Sequence, residues 1–451
     1  MNTLSWKIAL AYIGVIVGAG LSSGQDLLQY FLCFGKTGLV GVVILGILNA
    51  CFGKIMLSFG CYYRADSHAE VFSQIAHPII NRLLDGVLIV GSFVMGFVMV
   101  AGAGANLNQQ FGLPLWVGGL LCSLLIAIVS FLDFDKITGV LGIFTPVMIV
   151  MILLVAVYSF VGKSYDLDML DQAARTIQPA IGNVWLSVIN YYALCAMTGV
   201  SMAFILGGSV VRIGVAAKGG SLGGTLIGII VLVAAASLFV NIDQIKEADM
   251  PMLSIVNHIH PWLATLYAVT VFALIFNTAF SLYYSIARRF SSGSTRKMRI
   301  IMLAIVGAGY VCSFFGFKKL IGIMYPILGY MGIVLLAVLL LAWVREHSNI
   351  IAEKFFRRKM IHISLKKQAP DLDVSRKETE LFRKLGEASP ADTDELKKDI
   401  HEAAAKILEN QDDVRKYVKE NISVNDEMLK ETIREKLSEK QEVPEENPRG
   451  K

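Results

Sequence analysis

Ten stretches of this chain are long and apolar enough to cross a bilayer, and they leave little choice of architecture. A helical crossing takes about 20 apolar residues. The stretches cover about 6–34, 38–61, 83–106, 113–132, 138–161, 183–208, 217–240, 262–288, 298–316 and 319–344. Inside hydrocarbon no water satisfies backbone N–H and C=O groups, so each stretch must close its own hydrogen bonds as a helix. The expected fold is an all-α polytopic membrane protein with ten transmembrane helices. Composition agrees, at 55% hydrophobic and 17% charged over 451 residues.

The charge is unevenly placed. Residues 1–344 carry 18 Lys/Arg and 12 Asp/Glu, whereas residues 345–451 carry 23 and 24. This divides the chain into a transmembrane domain, 1–344, and a charged, water-soluble helical tail, 345–451. With the N-terminus inside, the inner loops hold twelve Lys/Arg and the outer loops six. The positive-inside rule then puts both termini in the cytoplasm. The N-terminal run has one lysine, Lys7, and no small-residue cleavage site before it ends, so it does not read as a signal peptide. The basic residues form no single stripe, so nucleic acid is not an expected partner.

The first run is interrupted in its middle by Val17-Gly18-Ala19-Gly20-Leu21-Ser22-Ser23-Gly24-Gln25-Asp26. Non-helical backbone at that depth survives only when buried in protein or lining a wet cavity. A tightly packed small-residue helix is the alternative, but packing alone does not need Gln25 and Asp26. The sixth run carries a second polar interruption, Asn190-Tyr191-Tyr192 through Met197-Thr198-Gly199-Val200-Ser201. Runs one and six each open a set of five. Matched interruptions in two halves mark a midplane site in inverted-repeat transporters. The expectation is therefore that both helices unwind, near Gly18–Ser23 and near Met197–Ser201. Asp26, an acid inside a span, reads as a proton carrier, as the partner of a cationic solute, or as a group near the helix end that reaches water or caps a turn.

Other signals are weaker. Gly20-Leu21-Ser22-Ser23-Gly24 matches GxSxG, but the strand–turn–helix setting of a nucleophile elbow is absent. No metalloprotease, P-loop or dinucleotide fingerprint occurs, so an enzyme is not expected. The six cysteines form no CxxC pair and read as packing residues. His258 and His260 lie in the outer 241–261 loop, where a metal site is the minor reading. Tyr62 to Arg82, inside, suits a short surface helix. In the tail, Ser375-Arg376-Lys377-Glu378 has capping-box spacing. A helix near Ser389-Pro390 carries Ile400, Ala404, Ile407 and Leu408, and Met428, Leu429, Ile433 and Leu437 form a third apolar face. The tail suits a small helical bundle that self-associates or meets a protein partner.

Gly18-Ala19-Gly20 and Thr198-Gly199-Val200 resemble the unwound motifs of the amino acid–polyamine–organocation superfamily, with its LeuT-type five-plus-five inverted repeat. Ala101-Gly102-Ala103-Gly104-Ala105-Asn106, Gln109-Gln110-Phe111-Gly112-Leu113-Pro114 and Ser23-Gly24-Gln25-Asp26 resemble the YkvI-like bacterial membrane proteins more closely. The resemblance covers about residues 5–344. It implies a multi-pass protein of the bacterial cytoplasmic membrane that moves a small, amino-acid-like solute by ion-coupled alternating access, with no cofactor beyond Na⁺ or H⁺. It places the solute carboxylate on the amides of Gly18, Ala19 and Gly20. Ser22, Ser23, Gln25 and Asp26 stand beside it, and Met197, Thr198, Gly199 and Tyr192 come from the sixth helix. It implies a sodium site from the carbonyls of Gly14 and Val17 with Thr278 and Ser281, although the adjacent Thr/Ser pair of sodium-coupled relatives is absent and Val15 and Ile16 stand where some carry an asparagine. A solute sensor signalling through the tail is the other reading.

Overall fold

The computed structural model describes residues 2–16, 22–131, 144–291, 294–368, 374–391 and 393–408. Every regular element among them is helical. The chain runs through α1 (Asn2–Ile16), α2 (Gln25–Tyr30), a 3₁₀ turn (Leu32–Phe34), α3 (Lys36–Tyr63), α4 (His68–Ile75) and α5 (Pro78–Phe111). It continues through α6 (Leu115–Val129), α7 (Phe144–Phe160), α8 (Leu167–Ala174), α9 (Val184–Gly208), α10 (Ile213–Val240), α11 (Ile242–Ile245) and α12 (Pro251–Ile259). It ends in α13 (Pro261–Phe290), α14 (Thr295–Ser313), α15 (Phe317–Gln368), α16 (Arg376–Ala388) and α17 (Thr393–Leu408). Six of these, α3, α5, α9, α10, α13 and α15, are long and apolar enough to cross a membrane, and α6 and α7 are shorter apolar helices. Leu10, Ile47, Val150, Val157 and Leu341 are exposed on the outside of the bundle, where lipid is an apolar solvent.

Two helix pairs organise the interior. The first is α3 against α10, flanked by α1 and α9; the second is α5 against α13, flanked by α6 and α14. The α3–α10 crossing is backbone on backbone. A Cβ on Gly224 would stand 2.1 Å from the Asn49 carbonyl oxygen, and one on Gly220 would stand 2.2 Å from that of Gly53. Lipid tails give apolar side chains no reason to pair, so close van der Waals approach at small residues supplies the association. The repeat Gly220-x3-Gly224-x3-Gly228 puts all three glycines on that face.

One expectation needs correcting. The sixth run does not unwind: α9 is continuous from Val184 to Gly208. The Thr198 hydroxyl donates to the Cys195 carbonyl at 2.9 Å, inside its own helix. Gly199 leaves room for the Ile16 side chain, whose Cδ1 would lie 2.4 Å from an added Cβ. Thr198 is satisfied within the helix, while Asn190, Tyr191 and Ser201 bond to side chains or backbone of neighbouring helices. The helix that carries the last apolar run continues past residue 344. Helix α15 runs on to Gln368, with Pro326 inside it.

The extension of α15 beyond residue 344 carries the described part of the tail. Phe356, Met360, Ile361 and Leu365 pack with Leu385, Leu396, Ile400, Ala404 and Ile407 in a second apolar core. Ser375 and Glu378 form the expected capping box on α16. The Lys366 ammonium and the Ser375 amide hold the Glu378 carboxyl down at about 2. This contact is therefore complete above the ordinary glutamate range and is lost as pH falls towards 2. The third apolar face, Met428 to Leu437, lies outside the described residues.

Arg357, buried with 1% exposure, fixes this extension to the bundle. It donates to the carbonyls of Cys61 at 2.7 Å, Tyr62 at 2.8 Å and Val211 at 3.2 Å, and pairs with Glu353 at 2.7 Å. The Ser389 hydroxyl donates to the same Glu353 oxygen at 2.6 Å, and Arg64 pairs with Asp399. A guanidinium at the C-terminal end of α3 also meets the negative end of its dipole.

Two outcomes follow from this packing. Gly224→Val should cost at least about 1–3 kcal/mol by overpacking, seen as a lower melting temperature in detergent. Gly307→Ala, a helical glycine with nothing within 4 Å of an added Cβ, should leave it unchanged or slightly raised. Arg357→Leu strands the buried Glu353 charge and should cost about 3–5 kcal/mol. Glu353→Gln, which keeps acceptors for Arg357 and Ser389, should cost less in the same assay.

Candidate functional site: the break in the first span

Helix α1 ends at Ile16 and α2 begins at Gln25. Of the predicted site, Val17, Gly18, Ala19 and Gly20 lie outside the described residues. Ser22 and Ser23 are helical, and Gly24 then turns left-handed with φ 76°. That conformation suits glycine, and the site is too tight for anything larger: an added Cβ would stand 2.9 Å from Met252 Cγ. The Ser23 hydroxyl oxygen accepts the Gln25 N–H at 3.2 Å, and the Tyr267 hydroxyl donates to the Ser22 carbonyl at 2.7 Å. Neighbouring groups thus satisfy backbone that a continuous helix would have satisfied itself.

Helix α2 is buried on every side. Asp26, 1% exposed, accepts the Leu27 N–H at 3.0 Å through Oδ1 and the Tyr191 hydroxyl through Oδ2. Tyr191 stacks edge-on against Phe31 and tilts against Tyr30. The Tyr30 hydroxyl donates to Asn190 Oδ1 at 3.3 Å, and Asn190 Nδ2 donates to the Pro326 carbonyl at 2.9 Å. Ser187 donates to the Tyr30 carbonyl at 2.7 Å. Asn190 therefore joins α2 and α9 to α15 beside its proline. In this conformation Asp26 is buried and caps a neighbouring amide.

The segment between α10 and α13 roofs the break. Met252 on α12 presses on Gly24, and Gln109 at the end of α5 clamps the segment. Gln109 Nε2 donates to the Met250 carbonyl at 2.9 Å and to Ser254 Oγ at 3.0 Å, while Met250 N–H donates to Gln109 Oε1 at 2.9 Å. His258 and His260 in this segment bond to backbone: His258 Nδ1 meets the Ser254 carbonyl at 2.7 Å and His260 Nδ1 accepts the Trp262 N–H at 3.1 Å. Among the described residues no cluster of metal-ligating side chains occurs.

Gln25 is the unusual member. It is fully buried, and neither its amide nitrogen nor its oxygen has a hydrogen-bond partner. Buried polar groups are nearly always paired, and one that is not asks for a ligand or a strain. The hydroxyls of Tyr12 and Tyr192 share this state, on the side of α9 that faces Phe52.

The remaining predicted residues are dispersed. Tyr192 faces Phe52 rather than Asp26; the adjacent Tyr191 takes that place, because consecutive helical residues point about 100° apart. Met197 packs on Gly91 of α5, Thr198 bonds within α9, and Gly199 lies against Ile16. Gly14 sits in the last turn of α1 with its Cα open, Thr278 donates to the Leu274 carbonyl at 2.9 Å, and Ser281 is half-buried on α13. Tyr191, Asn190 and Gln109 appear in the sequence motifs without a predicted site role, and Tyr267 is singled out by none of them. All are polar groups in or beside apolar runs, the one signal that could find them.

No family model matches the chain. It is 25% identical over 334 residues to the uncharacterized membrane protein YkvI of Bacillus subtilis (strain 168), covering 74% of this chain and 94% of that protein. The fold is similar to the inward-facing conformation of Mhp1, with a TM-score of 0.52 at 13% identity over 75% of this chain and 76% of that one. It is similar also to MhsT in complex with L-phenylalanine, with a TM-score of 0.52 at 16% identity over 89% and 97% of the two chains. The chain is distantly homologous to YkvI and is a multi-pass, all-helical membrane protein with a LeuT-like fold.

Proposed function

We propose that this protein is a secondary transporter that moves a small, amino-acid-like solute across the bacterial cytoplasmic membrane by cation-coupled alternating access. The observation that carries the reading is the buried break in the first span. Gly24 interrupts the helix there, and Gln25 holds an unpartnered amide against it, enclosed by α9, α13 and the outer roof. Polar groups at that depth are expensive unless a ligand uses them.

In this reading α1 with α2, α3, α5, α6 and α7 form one half, and α9, α10, α13, α14 and α15 form the other. The ten passes put both termini in the cytoplasm, so the tail, from residue 345 on, is a cytoplasmic appendage. The solute is zwitterionic or anionic, with its carboxylate on the amides of Gly18, Ala19 and Gly20. Glycine lets an anion reach backbone N–H groups that a side chain would shield. Continuity of α9 gives the sixth helix a smaller share of the backbone contacts than the resemblance implies, and leaves it to contribute side chains.

A sensor that reports through its tail is the second reading, and Arg357 is the observation that favours it. It ties the tail extension directly to the ends of α3 and α9 and to the start of α10, so movement of those helices reaches the tail.

A thermal-shift screen of the purified protein against the twenty L-amino acids tests the site, L-phenylalanine among them. At least one should raise the melting temperature of the wild type, and Gly20→Leu should weaken that binding at least tenfold by blocking the anion's approach. Deleting residues 409–451 should leave it intact. Equal binding by Gly20→Leu would remove the carboxylate assignment, and loss of binding on tail deletion alone in a folded protein would favour the sensor.

A further inference from the structure

Asp26 is a carboxyl group sealed inside the membrane domain without a cation. Its two oxygens meet the Tyr191 hydroxyl and the Leu27 N–H, both neutral donors. The titratable groups around it are Tyr30 on its own helix, Tyr191 and Cys195 on α9, and Tyr325 on α15. None of these is basic, and no Lys, Arg or His pairs with Asp26 among the described residues. Residues 17–21, Val-Gly-Ala-Gly-Leu, contain no ionisable side chain either. A lone carboxylate in such a place is strongly disfavoured, and proteins remove the charge by pairing it or by protonating it. The side chain is 1% exposed, with α9, α15 and Met252 closing the surroundings of its helix. A metal ion or an ammonium group needs volume and several oxygen ligands. A proton needs neither.

We propose that Asp26 is the coupling-proton site: it binds one H⁺ from the outer water and must be neutral for the roof to close over α2 as it is closed here. This rests on the transporter reading and names its coupling ion. The step is a simple acid–base exchange. An O–H bond forms on one carboxyl oxygen when the site faces the outside, and it breaks when the site faces the cytoplasm, so one proton is carried inward per cycle. The neutral acid gains a donor. Gln25, whose amide oxygen is unpartnered, is its immediate neighbour in the chain. Tyr191 supplies a hydroxyl that serves either form, donating to the carboxylate or accepting from the acid. A charged Asp26 brings α2 back towards water and so favours the open side. That difference links protonation to the conformational cycle, as any ligand bound better by one state must.

Two measurements test it, using Asp26→Asn, which fixes the neutral shape, and Asp26→Glu, which keeps an acid, as the second variant. Infrared spectra of the full-length protein, titrated with pH, should show a protonated carboxylic-acid carbonyl band at neutral pH in the wild type and in Asp26→Glu. The band should be absent in Asp26→Asn. In proteoliposomes holding a trapped pH dye, an external pool of the twenty L-amino acids should acidify the lumen for wild type. Asp26→Asn should reduce that signal at least tenfold, and Asp26→Glu should retain it. If the band is missing in wild type, or acidification persists in Asp26→Asn, Asp26 is not the proton site. If wild type and both variants bind the pool without moving protons, the proton inference falls and the solute site stands. If the pool binds to none of them, the transporter reading beneath it fails.

Discussion

Everything around the first span follows from one constraint: backbone and side-chain polar groups deep in a bilayer have no water to fall back on. A helix that stops at Gly24 and restarts at Gln25 leaves amides and carbonyls that neighbours must satisfy. Tyr267 from α13 takes the Ser22 carbonyl, and Ser23 takes the Gln25 N–H. Tyr191 takes Asp26, and Asn190 ties the same corner to Pro326. Apart from Ser23, these partners come from three other helices, so the break can exist only where α9, α13 and α15 converge. The tertiary structure is the condition for the local one.

The close helix pairs around that corner have a different cause. Between α3 and α10 the contacts are backbone against backbone at Gly220, Gly224 and Gly228. Helix α15 reaches from the Asn190–Pro326 contact at one end to the Arg357 network at the other. A single helix thus joins the neighbourhood of Asp26 to the tail.

Much of this was legible in the sequence, and the parts that were not share a reason. Length and hydropathy placed the long spans because helix length in a bilayer is fixed by its thickness. The Ser375–Glu378 cap was legible because capping is a local hydrogen-bond exchange. The interruption in the sixth run was read as unwinding, but polarity and small size do not separate a broken helix from a hydroxyl bonded to its own turn, as Thr198 is. The charge onset at Arg345 marks a change of composition, not the end of the helix. The resemblance implies Tyr192 at the site, whereas Tyr191 meets Asp26; only the rotation of α9 against α2 decides which of two adjacent tyrosines does so. Gln109 and Met250 are 141 residues apart, and nothing local announces that they meet.

The central claim is that the buried corner at Gly24–Asp26 opens alternately to the two sides of the membrane. Counterflow tests it most directly. Proteoliposomes loaded with an unlabelled pool of L-amino acids, diluted into a trace of the same pool carrying a radiolabel, should transiently gather label inside above its external concentration. Protein-free vesicles should not. Label that only equilibrates at the rate of protein-free vesicles, from a protein that binds the pool, would contradict alternating access and leave a receptor in its place.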